Sequence, residues 1–293
     1  MVGSNLGWLI ATAVLIPLGA LLVQPAAAQN AKEPRIVAAE KLEAALLAAE
    51  ARPAPEEKVA LLKAAAAEAR RAMTANVLVQ DILEAAERAK LDDAGQAAKR
   101  WRKAVVEAGE LLRFEPLLEA PLPVGFPQPT PVGEIRVQQY PKYRLARTDM
   151  TLIEGRAFWT LFNHIKQRDI AMTAPVEMSY APDKDGALKK SSMSFLYRNT
   201  EQGRIEVDGK VAVVDVPAQI VVAIGLQGDA TKDKVNDAKR RLEAWLQAHG
   251  DEYEATGPIR VLGYNSPFVA EEKKLTEVQI PVRSKQPASV APR

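Results

Sequence analysis

The stretch from Ile170 to Tyr180 has residue types and a spacing that suit the binding of an apolar ligand. In a strand, every second side chain points to the same side. One side of this stretch is apolar and carries two methionines; it consists of Ile170, Met172, Ala174, Val176, Met178 and Tyr180. Because methionine is flexible and polarizable, such a side can line a pocket for a flat apolar molecule. Pro175, on the other side, interrupts the hydrogen-bonding edge of the strand.

The composition excludes most other kinds of chemistry. The 293 residues include no cysteine and only two histidines, His164 and His249. Disulfides, thiolate nucleophiles, cysteine zinc sites, iron–sulfur clusters, covalent c-type heme attachment and a multi-histidine metal centre are therefore excluded. Asp149, Glu154 and Glu177 form no evident acid pair, and the chain has no glycine-rich phosphate loop or nucleophile elbow. We therefore expect a binding protein and not an enzyme.

The charge balance gives no indication of nucleic-acid binding. The 39 Lys and Arg residues against 37 Asp and Glu leave a net charge of +2, and no basic stripe is interleaved with aromatic residues. The hydrophobic share of 47% is ample for a core, and the length suggests one or two domains.

Residues 1–28 are predicted to be a signal peptide or a signal anchor. The segment 6–23 is apolar throughout, and three alanines at 26–28 fit a small-residue cleavage site. The apolar run is about as long as a short membrane span, and no Lys or Arg precedes it, which leaves a membrane tether as the alternative. Either outcome predicts an exported protein, periplasmic or anchored to the outer side of the inner membrane.

The next two segments predict a helical arm and a linker. Residues 32–115 are rich in strong helix formers, and breaks in this pattern predict helices at about 35–51, 56–90 and 95–114. A hairpin or short bundle that acts as a spacer or docking arm is one interpretation, and a coiled coil that binds a protein partner is the other. Six prolines in residues 116–131 then favour an extended linker, at which we place a domain boundary.

From residue 132 the periodicity changes from helical to alternating. The order strand, strand, helix, strand, strand occurs twice, with helices predicted at about 153–166 and 231–249. Residues 132–283 are therefore predicted to form an α+β domain of two ββαββ repeats, a sheet or open barrel with two helices packed on it. The proline-containing tail at 284–293 is predicted to be disordered.

Several segments of this region resemble the SOUL heme-binding family. The stretch Ile170 to Val176 resembles the family's signature strand, and Tyr264 to Phe268 resembles its Tyr-Asn-Pro-Pro-like segment near the C-terminus. Similar segments in the family's order are Glu134 to Tyr143, Ala157 to Phe162, Met193 to Phe195 and Glu277 to Val282. The resemblance covers about 133–282 and implies a SOUL-like distorted β-barrel or sheet that binds heme or another tetrapyrrole.

The resemblance also implies where the ligand lies, between the first helix of the domain and the neighbouring strands. The candidate ligand contacts are Arg156, Phe158, Phe162, His164, Met172, Met178, Met193, Phe195 and Tyr197. Arg156 would pair with a propionate carboxylate, and His164 is the candidate axial ligand of iron. For each aromatic or thioether side chain, packing in the core is the alternative.

The function implied by the resemblance is noncovalent binding of a tetrapyrrole, for buffering, transport or delivery. The alternative is a membrane-proximal interaction or scaffold protein whose helical arm binds a partner and whose pocket is vestigial or promiscuous.

Overall fold

The computed structural model describes residues 32–89, 93–150 and 154–285. The predicted signal segment and the tail after residue 285 lie outside these residues. No helix within the described ranges is long and apolar enough to cross a membrane.

Four helices form the N-terminal part of the described chain: α1 (Pro34–Glu50), α2 (Pro55–Ala72), α3 (Val77–Arg88) and α4 (Ala94–Arg113). Their apolar faces share one core, with Leu42, Leu62, Leu83 and Val105 fully buried at its centre. Such a shared core is what amphipathic helices need in order to bury their apolar faces.

The prediction of one helix over 56–90 was wrong, because the chain breaks between Ala72 and Val77. The side chain of Asn76 accepts a hydrogen bond from the backbone N–H of Val79 at 3.0 Å and caps α3. Asparagine is among the best residues for this position, since its carbonyl oxygen satisfies an N–H that has no partner inside the helix.

Asn76 also ties the four helices to the following domain. Its side-chain amide donates to the carbonyl oxygen of Val132 at 2.9 Å, and the backbone N–H of Val77 donates to that of Gly133 at 2.8 Å. Gly133 has a φ of 79°, and a Cβ there would lie 2.4 Å from Asn76 Oδ1. Only glycine therefore fits this junction without strain.

The domain after residue 132 is α+β, as predicted, with a ten-stranded antiparallel sheet that does not close into a barrel. The strands are β1 (Ile135–Tyr140), β2 (Tyr143–Asp149), β3 (Val176–Pro182), β4 (Leu188–Leu196), β5 (Glu206–Asp208), β6 (Val211–Val216), β7 (Gln219–Gln227), β8 (Tyr253–Ala255), β9 (Arg260–Gly263) and β10 (Leu275–Ser284). Their order is β1-β7-β10-β9-β3-β4-β2-β6-β5, and β8 pairs with β10. The two short strands β5 and β8 were not predicted.

Two helices, α5 (Glu154–Gln167) and α6 (Lys232–Ala248), pack on the same face of this sheet. Val176 and Met178 point to one side of β3, because they are two residues apart. Val176 packs in the cluster under α5, and Met178 packs in the cluster under α6. The two helices therefore lie side by side, with β3 beneath the space between them.

The predicted strand over Ile170–Tyr180 starts only at Val176. The residues before Val176 make hydrogen bonds that are not part of regular strand pairing. Thr173 Oγ1 donates to the carbonyl oxygen of Leu196 at 2.7 Å, and the N–H of Ala174 donates to the carbonyl oxygen of Pro121 at 3.1 Å. Pro175 has no N–H to offer a neighbouring strand. These three residues explain why the apolar alternation at 170–175 does not become a strand.

The opposite face of the sheet is covered by the proline-rich segment, residues 116–131. The ring of Phe126 lies edge-on to Tyr140 and Tyr143, with centroid distances of 4.9 and 5.1 Å. At its end, Thr130 Oγ1 donates to the buried carboxylate of Glu277 at 2.6 Å. The segment is thus held against the sheet by both ring contacts and hydrogen bonds, whereas its role as a domain boundary stays a prediction.

Candidate functional site

Six of the predicted ligand contacts belong to one apolar cluster under α5. Phe158 and Phe162 come from the helix, and Met172 from the irregular stretch before β3. The other three come from β4 and the residue after it: Met193, Phe195 and Tyr197, all buried. Recurring apolar positions on one helix face and one strand face brought these side chains together, as the sequence indicated.

The aromatic rings of this cluster fill the space between α5 and β4. Phe158 stacks on Phe162 with centroids 6.0 Å apart and meets Phe195 edge-on at 5.2 Å. Trp159, which is 59% exposed, lies edge-on to both helix phenylalanines at 5.5 Å. The point predicted to hold a planar ligand is therefore occupied by the protein's own rings, and open space must be sought beside it.

Two of the other three predicted contacts, Met178 and Arg156, lie apart from this cluster. Met178 stands directly opposite Met193 in the β3–β4 pair, but its side chain packs in the cluster under α6. Arg156 is exposed on α5. Neither residue joins the six, although Met178 remains on the sheet surface between the two helices.

His164, the predicted axial ligand, is buried under α5 with 4% of its surface exposed. Its Nε2 lies 3.1 Å from the Tyr197 hydroxyl, and its buried Nδ1 has no hydrogen bond to a described residue and lies 3.9 Å from the Asp208 carboxylate. Burial lowers the pKa of this imidazole, and the nearby Arg168 guanidinium lowers it further. Its surroundings therefore favour the neutral imidazole, and its use as an iron ligand stays a prediction.

Acidification below the ordinary histidine pKa is expected to destabilise the fold through His164. Because the pKa is lower in the folded state, the unfolded chain binds the extra proton more readily. The contribution to stability is fully present above about pH 6.5 and is lost as the pH falls below it. Urea unfolding of the wild type and His164→Gln between pH 8 and pH 5 measures this, and parallel pH dependences would contradict it.

A cleft of about 410 Å³ opens between the beginnings of α5 and α6. Its lining combines apolar side chains with three lysines and consists of Met150, Glu154, Tyr180, Leu188, Lys189, Lys190, Ala230, Lys232, Val235 and Asn236. Met150 also packs against the cluster under α5, so the cleft borders directly on the predicted ligand contacts.

The cleft combines an apolar floor with cationic groups at its rim. Lys190 Nζ binds the Glu154 carboxylate at 2.7 Å, whereas Lys232 has no ion-pair partner among the described residues. Tyr180 is 6% exposed, and its hydroxyl makes no hydrogen bond to any described residue. Burial, and secondarily the charge of Glu154, raise the pKa of Tyr180 to about 12, so its hydroxyl stays a donor.

Sequence reasoning missed most of the cleft. Of its lining residues, Tyr180 was named as part of the alternating stretch, and Glu154 was named only as an acidic residue without a pair. One signal could have found the rest: Glu154 and Lys232 are the first residues of the helices at equivalent positions in the two repeats.

In the described ranges, no group of three or more acidic or histidine side chains is arranged to hold a metal ion.

A comparison with models of known protein families identifies the family of this chain. The family model described as SOUL heme-binding protein matches residues 130–281, just over half of the chain. The chain belongs to the SOUL heme-binding protein family. The identification made from sequence motifs is thereby confirmed. Within this SOUL-family chain, the matched region contains every strand except the last residues of β10, together with both helices that flank the cleft.

The solved structures to which this SOUL-family chain is similar are distant from it. The C-terminal domain of EcmrR is 19% identical, with a TM-score of 0.40, over 51% of this chain and 97% of that one. EcmrR in its DNA complex matches over 57% of its own length. An uncharacterized conserved protein from Listeria innocua is 14% identical, with a TM-score of 0.41, over 53% and 94% of the two chains. No curated protein matches the SOUL-family chain.

Proposed function

We propose that this SOUL-family protein binds heme or another tetrapyrrole noncovalently in the cleft between α5 and α6. The observation that carries the proposal is the cleft itself, about 410 Å³ of space beside the aromatic cluster, within a family described as heme-binding. Pockets for small molecules are mostly apolar, with a few polar groups that fix orientation, and typically measure about 300–1,000 Å³.

The residues of the cleft fit the two chemical parts of a tetrapyrrole. Met150, Leu188 and Val235 offer apolar surface to the macrocycle. The ammonium group of Lys232 and the Tyr180 hydroxyl are free to donate hydrogen bonds to carboxylates, and such charge-assisted bonds are the strong ones. No other polar contact in the cleft has to break before these two residues bind a ligand.

The protein's contribution would be binding and exclusion of water. When bound, heme would supply redox and ligand-binding chemistry at its iron. No histidine lines the cleft, so affinity there would come from apolar enclosure and from the cations at the rim. This suits buffering, transport or delivery of the ligand. Export through residues 1–28, a membrane tether at 6–23 and a protein partner for the helical arm are part of the same proposal.

Two variants of the full chain test the cleft. Asn236→Trp fills it from α6, and because the Asn236 side chain makes no hydrogen bond to a described residue, the fold should persist. Lys232→Glu reverses the free charge at the rim. We expect Asn236→Trp to abolish saturable binding of protoporphyrin in a fluorescence titration, and Lys232→Glu to weaken it about tenfold, the value of one charge-assisted hydrogen bond.

The matched control is Lys99→Glu on α4, the same charge reversal away from the cleft. It should leave affinity unchanged. If Phe162→Ala or Met172→Ala weakens binding while Asn236→Trp does not, the ligand lies under α5 and the cleft assignment is wrong. Absence of saturable binding by the wild type would refute the function.

A further inference from the structure

The outward face of α5 carries an exposed tryptophan between two basic residues. Trp159 is 59% exposed, and Arg156, Asn163 and Lys166 are exposed as well. Arg156 precedes Trp159 by about one turn and Lys166 follows it by about two turns, so the four side chains lie on one side of the helix. This face combines an aromatic ring with cationic groups, and it points away from the sheet.

Phe158 and Phe162 hold Trp159 at the surface. The indole lies edge-on to both phenylalanine rings, with a centroid distance of 5.5 Å in each case. Both phenylalanines are partly buried against the cluster under α5, whereas the indole remains largely in contact with solvent. An indole has an apolar body and a polar N–H, so it suits a boundary between an apolar and an aqueous phase.

The carboxylates near this face are paired with other cations. Glu154, the only acidic residue of α5, begins the helix and binds Lys190 at 2.7 Å beside the cleft. Just after the helix, Arg168 binds Glu206 at 2.9 Å and Asp208 at 2.7 Å. These carboxylates therefore do not neutralise the outward face.

The two cations of the outward face are available to an external partner. Neither Arg156 nor Lys166 has an ion-pair partner among the described residues. The next acidic residue along the chain, Asp169, comes after α5 ends at Gln167. The outward face therefore carries a positive charge on both sides of Trp159.

We propose that the outward face of α5 docks on an anionic lipid surface, with Trp159 among the headgroups and Arg156 and Lys166 against the lipid phosphates. Tryptophan and basic residues are enriched at membrane–water interfaces, because the indole suits the boundary and the cations are attracted to anionic headgroups. So small a face binds a bilayer weakly by itself, and stable attachment takes a second signal. The tether proposed at 6–23 would supply that signal.

The fluorescence of Trp159 in the full chain tests the docking. The chain has four tryptophans, so the signal of Trp159 is the difference between the emission of the wild type and that of Trp159→Phe. We expect phosphatidylglycerol vesicles to shift this difference emission to shorter wavelength and brominated phosphatidylglycerol to quench it. Phosphatidylcholine vesicles should do neither, even where the segment 6–23 attaches the protein to them.

The variant Arg156→Glu with Lys166→Glu measures the part played by the cations. Each basic residue close to an anionic bilayer strengthens binding about fivefold, so the ratio of docked to undocked Trp159 should fall at least about 25-fold. The matched control is Lys99→Glu with Lys103→Glu on α4, the same charge change at two exposed positions. It should leave the Trp159 signal unchanged.

A single change guards against a folding defect in the double variant. Asn163→Glu places one negative charge between Trp159 and Lys166 at an exposed position, so it should weaken docking while the circular dichroism spectrum stays that of the wild type. Docking of either variant as strong as that of the wild type would overturn the proposal.

Two further outcomes would also overturn it. A Trp159 signal that phosphatidylglycerol vesicles leave unchanged would exclude lipid docking and leave this face to a protein partner. An equal response to both lipids would show that the positive charge plays no part. No tetrapyrrole is present in these experiments, so the docking face and the ligand cleft fail or stand independently.

Discussion

Gly225→Ala is expected to destabilise the protein by more than about 4 kcal/mol, the range reached only by substitutions with a specific structural cause. A Cβ on Gly225 of β7 would lie 2.2 Å from the carbonyl oxygen of Thr130 and 2.6 Å from that of Pro131. Both are backbone atoms, so neither can move aside without shifting the end of the proline-rich segment. That shift would also break the hydrogen bond from Thr130 to Glu277.

The matched control is Gly109→Ala in α4, where an added Cβ has no atom within 4 Å. Alanine in a helix interior is favoured over glycine by about 0.5–1 kcal/mol, so this variant should gain stability. Urea unfolding followed by circular dichroism measures both free energies. Equal stabilities of Gly225→Ala and the wild type would show that the proline-rich segment is not held against β7.

Arg260→Met is expected to cost about 3–5 kcal/mol, because it leaves a buried carboxylate without its cation. Arg260 Nη1 lies 3.0 Å from the Glu177 carboxylate, and both side chains are less than a tenth exposed. The guanidinium also donates from Nε to Gln279 at 2.8 Å, while the Tyr143 hydroxyl donates to Glu177 at 3.0 Å. Removing the guanidinium therefore leaves several buried polar groups unsatisfied at once.

An exposed pair provides the comparison. Arg283 and Glu254 are 67% and 45% exposed, so Arg283→Met should cost less than about 1 kcal/mol. The double variant Arg260→Met with Glu177→Gln should recover part of the loss, since the uncompensated charge is gone. Chemical denaturation of the wild type, Arg260→Met, Glu177→Gln and the double variant gives the coupling free energy, and additive losses from Arg260 and Glu177 would contradict a direct interaction.

The sequence could predict elements whose signals are local. Thr231 is a good N-cap residue, and in the structure it caps α6 by accepting a hydrogen bond from the N–H of Lys234. Errors arose where one residue decides the backbone: Asn76 splits a predicted helix, and Pro175 delays a predicted strand. Both residues were visible, but each had to be weighed against a long run of favourable periodicity.

The site could be predicted only in part, for a physical reason. Phe158 and Phe195 meet because each lies on the apolar face of its own element. The cleft is different, because it is bounded by Glu154 and Lys232, which begin different helices, and by strand residues between them in sequence. Its existence depends on how far apart the sheet holds the two helices, and no local pattern encodes that spacing.

The proline-rich segment has a consequence for anyone who wishes to shorten this protein. A truncation that begins at Val132 would remove Phe126 from between the rings of Tyr140 and Tyr143 and would delete Asn76, the donor to the Val132 carbonyl. The remaining polypeptide would expose aromatic rings to water and lose solubility. The α+β domain and the helices before it should therefore be expressed and assayed as one polypeptide.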